Sequence, residues 1–284
     1  MFLFKKIKEL QLFLAAECQK RNTIGFVPTM GALHEGHLAL VEQAMQSNDC
    51  VVCSIFVNPT QFNDARDLEK YPRTPERDIE MLAGVGCHVL FMPTVTEIYP
   101  PDQQVKADFN FGQIDKVMEG TFRPGHFTGV AQVVNRLLEI VQPDMLYMGQ
   151  KDFQQVRVVA EMLRQSRSNV ELVMCPTIRE ADGLAMSSRN VRLTPEQRRQ
   201  ATIIYETLAQ AREMASQYYS VRDIRTFALE KLNISGFRPE YFEIVDSNTL
   251  LPLERLNGAK TAVACTAVWA GEVRLIDNMI LTKT

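Results

Sequence analysis

Residues 50–57 read CVVCSIFV, eight positions with one polar side chain and almost no alternation. A half-buried strand alternates apolar and polar residues, so this run fits a strand covered on both faces, as in a parallel sheet flanked by helices. Short apolar runs recur at 23–27 (TIGFV), 88–92 (HVLFM), 145–149 (MLYMG) and 170–175 (VELVMC). Helical segments separate them. Leu38, Val41 and Met45 form a stripe within about 36–46, Pro75 and Gly84 bracket TPERDIEMLAG, and 129–141 and 153–167 also read as helices. This alternation predicts a Rossmann-like α/β domain with a parallel sheet and right-handed crossovers. The opening MFLFKKIKELQLFLAAECQK has apolar residues at helical spacing and reads as an amphipathic helix.

Near residue 178 the pattern changes. TPEQRRQATIIYETLAQAREMA (194–215) predicts one long helix, capped by Thr194 with Pro195 in its first turn. EYFEIVD, TAVACTAVWA and VRLIDNMIL follow as strands without long helices between them. The expected division is a catalytic domain over 1–177 and a smaller α+β domain over 178–284, with an antiparallel sheet, that closes over the site.

A net charge of -3 over 284 residues gives no reason to expect nucleic acid or an anionic membrane as partner. No apolar run approaches the length of a membrane span, and the expected compartment is the cytoplasm. Cys50 and Cys53 have the spacing of a metal or redox pair. They lie inside a strand pattern, and no second Cys/His pair completes a zinc site, so the six cysteines read as core thiols.

Four segments are too polar for mere connections. PTMGALHEGHLAL (28–40) places His34 and His37 at a strand-to-helix turn, where free N–H groups and the helix dipole favour phosphate. One histidine would read as a helix cap; two, three apart across Gly36, read as a phosphate site. FVNPTQF (56–62) offers Asn58 and Gln61 just past a strand end, where open α/β sheets bind ligands, although Asn-Pro is also ordinary turn punctuation. EGTFRPGHFTGV (119–130) joins Arg123 to His126, and GQKDFQQ (149–155) brings Lys151 for phosphate, Asp152 for a ribose hydroxyl or Mg²⁺, and Gln155 for a polar substrate. Taken alone, GQKDFQQ reads equally as a capping Asp beside a surface Lys. PTIREADGLAMSSRN (176–190) sets Ser187, Ser188 and Arg189 in succession near Gly183, as in a mobile loop closing over a triphosphate.

His34-Glu35-Gly36-His37 resembles the HxGH element of the nucleotidyltransferase superfamily that also contains class I aminoacyl-tRNA synthetases, and MSSR resembles its second, KMSKS-like loop. PTMGALHEGHL, FVNPTQF, YPRT, RPGHFTGV, VQPD, KDFQQ and PTIREADGLAMSSRN, in this order, are similar to the pantoate–β-alanine ligase family. The resemblance implies that pantoate carboxylate attacks the α-phosphorus of ATP, giving pantoyl adenylate and pyrophosphate. β-Alanine then takes the acyl group and releases AMP.

Carried over motif by motif, it implies an ATP site of Met30, His34, His37, Gly149, Lys151, Asp152, Met186, Ser187, Ser188 and Arg189. Of these, His34, His37, Lys151, Ser187, Ser188 and Arg189 act as charge stabilisers rather than general bases. Gln61 and Gln155 grip pantoate, with Asn58 and His126 in support. Mg²⁺ is expected mainly on phosphate oxygens, since it commonly keeps waters and needs few protein ligands, and a homodimer is implied. The sequence departs from the family at Arg192, where a Tyr is expected, and in RLLEIVQPD.

Three rivals remain. Another HxGH transferase would form a nucleotidyl product, but leaves Gln61 and Gln155 without a purpose. A regulatory nucleotide binder would have lost charged groups that are present here. A truncated tRNA synthetase would need a basic RNA-binding region that is not visible.

Overall fold

The computed structural model describes residues 1–63, 65–101 and 108–283. In chain order they form β1 (Phe2–Phe4), α1 (Ile7–Gln19), β2 (Ile24–Thr29), α2 (Glu35–Ser47), β3 (Cys50–Ile55), α3 (Ala65–Glu69), α4 (Pro75–Gly84), β4 (Val89–Phe91) and α5 (Val95–Ile98). There follow α6 (Glu119–Phe122), α7 (His126–Val141), β5 (Met145–Gly149), α8 (Phe153–Gln165), β6 (Glu171–Cys175), α9 (Pro195–Gln200), α10 (Thr202–Ser216), α11 (Val221–Leu232), β7 (Phe237–Asp246), β8 (Thr261–Ala270) and β9 (Val273–Lys283). The chain divides into two compact units. One holds Met1–Phe111, Arg123–Gly149 and Gln155–Pro176; the other holds Gly112–Phe122, Gln150–Gln154 and Thr177–Thr284.

The first unit is built on a six-stranded sheet in the order β1-β4-β3-β2-β5-β6, with every pairing parallel. This is the expected α/β architecture. All six residues of β3 are buried, as its unbroken apolar run requires. One core cluster packs Val41, Cys53, Leu82 and Leu90 together. Successive strands run outward from β2 through β3 and β4, then resume on its other side with β5 and β6. The order therefore reverses between β2 and β5, where such sheets open a ligand crevice at their carboxyl ends.

The opening segment differs from the expected single helix. Phe2–Phe4 pairs with β4 as an edge strand, through Phe2 N–H to His88 O at 2.8 Å and Met92 N–H to Phe4 O at 2.9 Å. Helix starts only at Ile7. Five of the six cysteines are buried and Cys18 is exposed. Burial raises the thiols of Cys50, Cys87 and Cys175 to about 11, as suits inert core groups.

The second unit carries the antiparallel sheet β7-β8-β9, the expected smaller α+β body. The two-residue period of its strands sorts its two cores. Phe242, Ile244, Ala264 and Val268 pack with Ile204, Leu208 and Ile224 of α10 and α11, whereas Tyr241, Val245, Val263 and Cys265 pack with Met118 and Phe153. Glu119 is buried here, bound by both Arg274 terminal nitrogens at 2.6 and 2.7 Å and by the Tyr241 hydroxyl at 2.8 Å. The expected long helix is broken into α9 and α10, with Ala201 the C-cap of the first and the N-cap of the second. Its N-terminus keeps the expected Thr194 cap, reinforced by Gln197 into a capping box.

Candidate active site

β2 delivers the chain to the crevice and the next five residues turn it into α2. Gly31 (φ 77°) and Ala32 (φ 49°) are both left-handed, a conformation that is strained for alanine. Buried Asp78 of α4 holds the turn: its carboxylate accepts the N–H groups of Ala32 at 2.9 Å and Leu33 at 2.8 Å, and the Thr74 hydroxyl at 3.0 Å. A side chain at Gly31 would meet Ile55 Cγ2 at 2.9 Å. Sequence reasoning missed Asp78, which looks like an ordinary acid in the first turn of a helix.

His34 is the N-cap of α2, and its Nδ1 accepts the Gly36 N–H at 3.2 Å. A nitrogen that accepts carries no proton, so in the neutral ring the proton sits on Nε2, a donor. The capping and phosphate-binding readings are thus compatible: one nitrogen caps and the other carries the proton. The His37 ring lies against it, centroids 4.0 Å apart.

Gln61, buried, ends a 3-10 turn after β3, and its Nε2 donates to Met30 Sδ at 3.0 Å. Asn58 does not itself reach outward. Its Nδ2 donates to Gln61 Oε1 at 3.2 Å and to Gly129 O at 3.1 Å, while its Oδ1 accepts the hydroxyls of Thr60 and Tyr99, each at 3.0 Å. His126 Nδ1 stands 2.8 Å from Gln61 O, and Nε2 stands 3.2 Å from Arg123 Nη1. A carbonyl only accepts and a guanidinium only donates, which fixes His126 as the neutral Nδ1–H form. Asn58 and His126 therefore grip the side chain and backbone of Gln61. A Cβ at Gly129 would fall 2.4 Å from Thr60 O, so only glycine lets α7 approach this turn. A cleft of about 370 Å³ opens beside it at the carboxyl ends of β2, β3 and β4, lined by Met30, Gly31, Phe56, Arg73 and Pro93.

Gly149 closes β5, and a Cβ there would meet no atom within 4 Å; nothing in protein packing demands this glycine. Gln155 is half-buried in the first turn of α8.

In the second unit, Lys151 and Asp152 lie in a 3-10 turn, Gln150–Asp152, with Lys151 Nζ 3.3 Å from Asp152 Oδ1. Residues 178–186 form a small hairpin, in which Arg179 bridges Ala185 and Met186 N–H donates to Ile178 O at 3.0 Å. Met186, Ser187, Ser188 and Arg189 leave its second arm, all half-buried. Ser187 Oγ accepts the Arg189 N–H at 3.3 Å, starting a further 3-10 turn, Ser188–Arg192. Arg192, the departure from the family pattern, lies in that turn. Where the sequence suggests a mobile loop, the base is tied: Arg179 binds Asp277 of β9 through two nitrogens at 2.6 and 3.0 Å, and Asp182 pairs with Arg198 at 2.6 Å.

Among the described residues, no group of three or more His, Cys, Asp or Glu side chains could hold a metal ion, and no helix is long and apolar enough to cross a membrane.

A six-stranded parallel sheet with a histidine-capped helix at its topological switch point defines an open α/β fold of the class that binds ligands at the carboxyl ends of its strands. The family model described as "Pantoate-beta-alanine ligase" matches residues 2–280, and the chain belongs to that family. It is 49% identical to the pantothenate synthetase of Porphyromonas gingivalis (strain ATCC 33277), over 98% of this chain and 99% of the relative. A crystal structure of pantothenate synthetase from Thermus thermophilus superposes with a TM-score of 0.93 at 44% identity, covering 99% of both chains. That of pantoate-beta-alanine ligase from Francisella tularensis, complexed with "Beta-gamma ATP" and β-alanine, gives 0.83 at 35% identity, over 99% of this chain and 98% of that one.

Proposed function

We infer that this enzyme condenses pantoate with β-alanine at the expense of ATP, by way of a pantoyl adenylate. The observation that carries the reading is the match to a single ligase family over residues 2–280, whose description names both the acid and the amine. Pantoate carboxylate attacks the α-phosphorus and pyrophosphate leaves. The β-alanine amine then attacks the acyl carbonyl, AMP leaves, and the amide of pantothenate remains.

Negative charge grows on the departing pyrophosphate, so donors aimed at phosphate do most for the first step. The N-cap geometry supports this role for His34, whose ring offers a donor at Nε2. In this reading His34, His37, Lys151, Ser187, Ser188 and Arg189 stabilise that charge. Met30, Gly149, Asp152 and Met186 complete the ATP contacts; open space at Gly149 suits close approach of a nucleotide to the backbone. Gln61 and Gln155 bind pantoate, while Asn58 and His126 hold Gln61 in place. The functional division proposed is a catalytic domain over 1–177 and a smaller domain over 178–284, with Gly112–Phe122 and Gln150–Gln154 of the former belonging to the second compact unit.

Mg²⁺, where it accompanies ATP, would be held mainly by phosphate oxygens, since it commonly keeps waters and needs few protein ligands, and no step is assigned to it. A homodimer, on the strength of the family resemblance, and a cytoplasmic location, on the sequence pattern, complete the proposal.

The test is substrate dependence. Pyrophosphate release from ATP should require pantoate, and AMP with pantothenate should accumulate only when β-alanine is added. Pyrophosphate release indifferent to pantoate would refute the reading.

A further inference from the structure

Two adjacent residues of β9 carry no role in the chemistry above, yet both are almost fully buried polar groups: Asp277 and Asn278, each 3% exposed. Polar side chains are seldom buried without a specific partner. Neighbours on a strand point to opposite faces, so the pair reaches two different structures. Asn278 Nδ2 donates to the carbonyl oxygens of Gln150 and Lys151, both at 2.8 Å, and its Oδ1 accepts from Gln150 Nε2 at 3.2 Å. The first two bonds fix the backbone that carries Lys151, and the third holds the Gln150 side chain beside it. The Asp277 carboxylate receives both terminal nitrogens of Arg179, and the same guanidinium donates to Gly183 O at 3.1 Å and lies 4.8 Å from the centre of the Tyr205 ring. Those contacts fix the hairpin that ends in Ser187, Ser188 and Arg189. A Cβ at Gly183 would fall 2.1 Å from Tyr205 Cδ1, so the turn of the hairpin is seated directly on that ring.

We propose that Asp277 and Asn278 are positioning residues that hold Lys151 and the Ser187–Arg189 segment in fixed register on one strand. The inference rests on the adenylation reading given above. Successive Cα atoms are about 3.8 Å apart in any strand, so two groups tied to adjacent residues cannot drift independently. A triphosphate gripped by both would find its donors already placed, and misplacement by about 1 Å can lower a rate on the order of a hundredfold.

Asn278→Asp tests the first arm. It keeps the size of the side chain but sets a carboxylate that cannot donate against two carbonyl oxygens. Pantoate-dependent pyrophosphate release should fall at least about tenfold, with the KM for pantoate changed less than about twofold. In a Lys151→Ala background the same change should have little further effect, since it acts through Lys151. Arg179→Lys tests the second arm by removing the forked grip on Asp277, and should raise the KM for ATP or slow adenylation at least about tenfold.

Wild-type rates in both variants, a loss from Asn278→Asp fully additive with Lys151→Ala, or a parallel rise in the KM for pantoate would each overturn the inference. If Asn278→Asp shows no cooperative thermal transition, Arg179→Lys decides. Wild-type enzyme lacking pantoate-dependent release would overturn the adenylation reading itself, and the inference with it.

Discussion

Gln61 Nε2 points at Met30 Sδ across 3.0 Å, joining the turn after β3 to the turn after β2. Sulfur is a weak acceptor, so the contact orients the amide without consuming its donor capacity. Asn58 and His126 fix the rest of the residue. Gln61→Glu should therefore keep the fold but raise the KM for pantoate by about tenfold or more, since a carboxylate would face a carboxylate substrate; each tenfold is about 1.4 kcal/mol. Steady-state kinetics with pantoate varied at saturating ATP provides the check, and an unchanged KM would remove Gln61 from the pantoate site.

Asp78 holds the left-handed turn ahead of His34. Asp78→Asn replaces one carboxylate acceptor by a donor facing backbone N–H groups, and should lower stability by about 1–3 kcal/mol in urea titration. Pyrophosphate release should fall with it, because the turn sets His34. Gly31→Ala, strained by its φ of 77° and by Ile55, should cost about 1–2 kcal/mol. Wild-type stability in both variants would show that the turn does not depend on these two positions.

Much of this was legible in the sequence, for reasons that can be stated. The unbroken run of β3 could satisfy itself only inside a covered parallel sheet, and the lack of long helices between the last three strands marked an antiparallel sheet. His34, Gln61 and Lys151 stood out because polar groups clustered next to strand ends. The edge strand Phe2–Phe4 was hidden because its partner lies nearly ninety residues away and its own periodicity continues into α1. Asp78 was hidden for the same reason: the backbone it satisfies lies 45 and 46 positions back along the chain. Asp277 and Asn278 sat inside VRLIDNMIL, where two polar residues in a strand look like a solvent-facing interruption until the pairing is seen.

The cysteines give a test independent of activity. Cys50, Cys87 and Cys175 are pushed up to about 11 by burial, and Cys53 and Cys265 are also raised well above the usual thiol value, chiefly by burial. A thiol of pKa 11 is thiolate in only about one molecule in a thousand at pH 8, and the fraction grows as pH rises. Iodoacetamide at pH 8 should modify one site, Cys18, on the folded protein and all six after unfolding, as read by intact mass. Rapid modification of several sites on the folded chain would contradict the buried placement.

In the proposed reaction a pantoate carboxylate oxygen attacks the α-phosphorus of ATP. Pantoate labelled with ¹⁸O in both carboxylate positions should be turned over with unlabelled ATP and β-alanine, and the products weighed by mass spectrometry. Attack through a carboxylate oxygen places one ¹⁸O in AMP, one in the new amide carbonyl of pantothenate, and none in pyrophosphate. Unlabelled AMP, or label in inorganic phosphate released together with ADP, would contradict it.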